Sequence, residues 1–127
     1  MKKQEYLEKL NRLGLDRERF CIISGGVMLL YGLREETQDI DIKMSPAYFE
    51  EARSRFSVRK SPKYDYLYEL GDDVEVAVQE YDQDDVRTVD GFQVESLEKQ
   101  LEWKVRQGRQ KDALDIKLIR EYLQSQQ

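Results

Sequence analysis

One stretch constrains this chain more than any other, IISGGVMLLYGLREETQDIDI, from Ile22 to Ile42. It reads as a strand, a glycine pair, a short helix, an exposed loop and a second strand. Side chains alternate faces along a strand, so Asp39 and Asp41 share one face while Ile40 and Ile42 point to the other. Two carboxylates about 7 Å apart on one strand face repel each other and lose solvation. A hard divalent cation, Mg²⁺ or Mn²⁺, relieves that conflict because it takes oxygen ligands and keeps substrate phosphates among them. Just upstream, Gly25 and Gly26 fall where strand turns into helix, and bare backbone there approaches an anion closely. A phosphate cradle beside a carboxylate pair points to phosphoryl or nucleotidyl chemistry. The plain alternative is a solvated edge strand with two surface aspartates after a glycine turn.

The rest of the composition narrows the chemistry. The 127 residues suit one domain, 1–127, with one core. The chain has no histidine, which removes imidazole zinc sites, Ser-His-Asp hydrolysis and histidine bases together. Catalysis here must use carboxylates, lysine, arginine, hydroxyls and metal. The single cysteine, Cys21, lies in an apolar run and reads as a buried spectator, so a cytoplasmic location is the default expectation. No apolar run approaches the roughly 20 residues of a membrane span. A net charge of −5 disfavours non-specific nucleic-acid binding, which depends on neutralising phosphates.

Periodicity supplies the elements. Residues 3–13 read as a helix with Tyr6, Leu7, Leu10 and Leu13 on one side, and residues 20–23 as a buried strand. Ser24 opens the glycine turn; its hydroxyl either caps the next helix, the commoner use, or contacts a phosphate. Residues 27–33 read as a short buried helix. On a plain reading, Arg34 pairs on the surface with Glu35 or Glu36. Ser45-Pro46 starts a helix over 46–56. Residues 57–59 read as a short strand, and residues 64–70 and 74–79 as a hairpin through Gly71-Asp72. A second hairpin turns at Asp90-Gly91. Ser96 caps a helix in which Leu97, Leu101 and Lys104 share a face, so Lys104 either snorkels outward or meets a polar site. Gly108 ends it. A last helix runs from Gln110 to about Gln124, with Ile116, Ile119 and Leu123 as its core face, widened by Leu114, Leu118 and Tyr122.

The Gly25-Gly26 pair and Asp39-Ile40-Asp41-Ile42, twelve residues apart, resemble the signature of the nucleotidyltransferase superfamily. Gly32, Arg34 and Thr37 between them are similar to its small bacterial branch, which holds minimal nucleotidyltransferases and abortive-infection toxin nucleotidyltransferases. The string Lys104…Arg109-x-Lys111-Asp112-x-x-Asp115 resembles that branch's C-terminal pattern.

The resemblance implies an α/β (α+β) fold, a small mixed β-sheet flanked by helices. It implies Mg²⁺- or Mn²⁺-dependent transfer of a nucleoside monophosphate from a nucleoside triphosphate to an acceptor hydroxyl on a small molecule, an RNA end or a protein. Ser24, Gly25, Gly26, Arg34, Thr37 and Lys104 would then bind the nucleotide, and Asp39 and Asp41 the metal. Glu75, on the strand beside the aspartates, would be the general base and a third metal ligand, although the family more often has Asp there. Arg109, Lys111, Asp112 and Asp115 would brace Lys104; on a plain reading, Asp112 suits a helix start and Lys111–Asp115 is an i,i+4 pair. A partner protein or a homodimer would complete so short a site. The rival expectation is a weakly active or inactive nucleotide- or partner-binding module, such as a toxin–antitoxin component.

Overall fold

The computed structural model describes Met1–Gln127 throughout. Its frame is one seven-stranded mixed sheet: β1 (Phe20–Ile22), β2 (Ile40–Met44), β3 (Val58–Lys60), β4 (Leu67–Leu70), β5 (Val74–Val78), β6 (Val86–Val89) and β7 (Phe92–Glu95), in the order β3-β4-β5-β2-β1-β7-β6. The strands carrying the acidic signature are central. β2 runs antiparallel to β1 and parallel to β5, and β1 runs parallel to β7.

Burial alternates along β2 as the sequence requires. Ile40, Ile42 and Met44 are buried, while Asp41 and Lys43 are only half-buried. The buried set joins Phe20, Ile22, Val74, Val76, Phe92 and Val94 in one apolar cluster. Five helices feed it: α1 (Lys3–Leu13), α2 (Gly25–Leu30), α3 (Pro46–Ala52), α4 (Leu97–Gln107) and α5 (Ala113–Ser125). The opposite sheet face carries Asp41, Lys43, Glu75 and Glu95. Cys21 is buried on that face, and burial pushes its thiol up to about 12, so it is inert at neutral pH. No helix is long and apolar enough to cross a membrane.

Local chemistry sets most boundaries. The Ser45 and Ser96 hydroxyls accept from Tyr48 N–H and Lys99 N–H, as helix caps should. Asp90 and Gly91 both have positive φ, 54° and 80°, the conformation that a type I′ turn demands.

Five expectations need correction. α2 begins at Gly25 and stops at Leu30, because Gly32 takes φ +75° and Leu33 N–H reaches back to Met28 O at 2.9 Å, a glycine-terminated helix end. Ser24 caps nothing; it sits at φ 59°, ψ −137°, a conformation rare for a residue with a side chain. Residues 64–66 are a turn and not strand, since Tyr64 and Tyr66 find no core and instead stack on each other, centroids 5.3 Å apart. Leu114 does not widen the core face of α5 but is 64% exposed. The inward side of this last segment is Asp112, Asp115, Ile119 and Tyr122–Leu123, with Leu118 also packed on the core; Ile116, expected on that face, is half-buried and outside the core cluster.

Candidate active site

The half-buried face of β2 builds the site. Asp41 and Glu75 are direct partners in the parallel register of β2 and β5. Asp39 lies just before β2 and is exposed. Burial first, then the charges of Glu75 and Asp39, push the Asp41 carboxyl up to about 6, with Lys63 acting in the opposite direction. No three acidic side chains converge as a closed metal cluster, and the Glu75 carboxylate pairs with Lys63 Nζ at 3.3 Å. The donor set is nevertheless all carboxylate oxygen, which suits Mg²⁺ or Mn²⁺ and not a soft metal.

A pocket of about 550 Å³ opens beside these acids, lined by Gly25, Arg34, Thr37, Asp39 and Asp41 together with Met1, Glu36 and Gln38. The chain folds over its rim because Met1 and Lys2 pair with the loop before β2: Thr37 N–H donates to Met1 O at 2.9 Å. Gly25 is required here for space. A Cβ on it would lie 2.5 Å from Thr37 Oγ1 and 2.7 Å from Arg34 Nη1. So bare backbone, a hydroxyl and a guanidinium converge at one point, a donor set for a phosphate.

Gly26 faces the other way. A Cβ there would run into Tyr6 Oη at 2.1 Å and Ile22 Cγ2 at 2.7 Å. Its missing side chain therefore serves packing under the turn. Tyr6, read in the sequence only as part of an apolar stripe, is fully buried with its hydroxyl unpartnered against this turn.

Arg34 makes neither expected surface pair. Its Nη2 meets Asp115 Oδ2 at 2.6 Å while Nη1 faces Gly25. The reason is a buried charge chain behind the pocket. Lys104 Nζ lies 3.2 Å from Asp115 Oδ2 and 3.4 Å from Asp112 Oδ1, and Arg109 Nε lies 2.7 Å from Asp112 Oδ2. Burial would raise Asp112, but Arg109 and Lys104 outweigh it and hold the carboxyl below its ordinary value. Lys104 thus stands behind the pocket wall and does not line it. Lys111 is exposed and outside the chain, so the Lys111–Asp115 pair is not formed. The signal for this chain was present in the 112, 115, 119 and 122 spacing of the final segment.

Further along the same sheet face, around Cys21, Lys43, Tyr81 and Glu95, lies a second cavity of about 190 Å³. Lys43 and Glu95 pair there at 3.2 Å.

No family model matches this chain, and no curated protein does. Two solved structures share its fold. One is a "putative nucleotidyltransferase (TM1012)" from Thermotoga maritima, with TM-score 0.65 and 23% identity over 98% of this chain and 96% of that one. The other is JHP933 from Helicobacter pylori, with TM-score 0.52 and 15% identity, covering 83% of this chain and 58% of that one. The chain has a nucleotidyltransferase-like fold: a mixed sheet of seven strands with five helices.

Proposed function

We propose that this chain transfers a nucleoside monophosphate from a nucleoside triphosphate to an acceptor hydroxyl. One observation carries the reading: Asp39 and Asp41 line the same pocket as Gly25, Thr37 and Arg34, and Glu75 is the register partner of Asp41 on β5. Acids for a cation and donors for a triphosphate therefore meet across one pocket.

In this reading Asp39 and Asp41 would hold a divalent cation, which when bound would offset charge on the transferring phosphate. Gly25 N–H, Thr37 Oγ1 and Arg34 Nη1 hold the triphosphate, and Asp115 fixes the Arg34 guanidinium so that only one edge is free for it. Glu75 takes the proton of the acceptor hydroxyl. In-line displacement needs donor and acceptor on opposite sides of the phosphorus.

Calorimetric titration with ATP, GTP, CTP and UTP, each with and without Mg²⁺, tests the reading. Mg²⁺-dependent binding that disappears in Asp41→Asn supports it, and the same binding in that variant overturns it. A partner-binding role is the second reading. Trp103, Val105 and Leu114 on α4 and α5 are large apolar side chains left exposed, and binding of no nucleotide would favour it.

A further inference from the structure

Glu75 forms its ion pair with Lys63, in the connection between β3 and β4. That connection is pinned. Ser61 is buried, its hydroxyl accepts from Lys63 N–H at 3.2 Å, and its own N–H donates to Leu67 O at 2.9 Å. The lysine is therefore delivered to the acidic face by a fixed turn, although its side chain is 63% exposed. One cation thus pairs with one of the three carboxylates assigned to the metal and the base.

We infer that Lys63 is the resident counter-ion of this acidic face, holding Glu75 until a divalent cation replaces it. The inference rests on the nucleotidyltransferase reading. Lys63 is a positioning residue that acts through Glu75. It neutralises part of the charge that a metal would otherwise meet, and so it weakens metal binding. When the cation arrives, Glu75 is released to face Asp41 and the acceptor.

The test uses Mn²⁺ alone, with free ion counted by electron paramagnetic resonance, on the wild-type chain and on Lys63→Met, Lys63→Arg and Asp41→Asn. Lys63→Met should bind Mn²⁺ about tenfold more tightly, because a like charge is removed from the site. Lys63→Arg should stay close to wild type, which separates charge from packing. The gap between wild type and Lys63→Met should narrow as salt rises, since an exposed lysine is screened. Wild-type binding that Lys63→Met leaves unchanged or weakens overturns the inference and leaves the proposed function standing. Binding in neither, or full binding in Asp41→Asn, overturns both. Binding in Lys63→Met alone supports both.

Discussion

Asp41 on β2 and Glu75 on β5 face each other in a parallel register, with no cation between them other than the exposed Lys63 on the Glu75 side. Two acids side by side in the middle of a sheet oppose folding, since each disfavours the charged form of the other. Their cost to the fold is what the cation proposed for this site would relieve.

That cost predicts a trade-off in Asp41→Asn. The variant should lose Mg²⁺-dependent nucleotide binding and transfer. At pH 8 it should unfold at a higher temperature than the metal-free wild type, because the neutral amide neither repels Glu75 nor demands solvation. Differential scanning calorimetry on both proteins checks this, and a lower melting temperature for the variant contradicts it.

The pH dependence has a defined sign. Asp41 keeps its proton up to about pH 6 in the folded chain and releases it from 3.8 when unfolded. Between those values the folded state binds more protons, so this group's contribution favours folding below about pH 4 and fades as pH rises to about 6. The contribution is on the order of 3 kcal/mol. Asp112, held low by Arg109 and Lys104, acts in the opposite direction and below that window. Urea titrations of wild type and Asp41→Asn across pH 4 to 7, assigned about 2 kcal/mol of growing difference in favour of the variant, isolate the Asp41 share.

The two adjacent glycines should respond differently to the same methyl group. Gly25→Ala meets a hydroxyl and the tip of a flexible arginine, so the fold survives and nucleotide affinity falls about tenfold. Gly26→Ala meets Tyr6 and Ile22 inside the core and should destabilise the chain by about 2 kcal/mol or more. Paired binding and denaturation measurements separate the two; equal loss of stability in both would refute the assignment.

Lys104→Met should act on stability before it acts on chemistry. It leaves Asp112 and Asp115 buried with only Arg109 and Arg34 as partners. Removing one member of a buried charge network costs about 3 kcal/mol. A weakened triphosphate site should follow, because Asp115 then draws Arg34 inward. Denaturant midpoints and nucleotide titration check the two effects separately.

The acidic strand, the capped helices and the Asp90-Gly91 turn were legible in the sequence, because each is set by neighbours a few residues away. The end of α2 was legible in principle at Gly32, but its apolar run continues through Leu33 and masks the stop. The partner of Arg34 was not legible. Asp115 is 81 residues away and reaches it only because α5 packs its acid-bearing side inward. The same holds for the division of labour between Gly25 and Gly26, which depends on Tyr6 arriving from α1.

β2 has three strands on each side. Sheets fray from their edges, so amide hydrogens on β2 exchange with solvent only when most of the molecule opens. Asp41 therefore rides on the last element to let go, and its backbone keeps its place as long as the molecule stays folded.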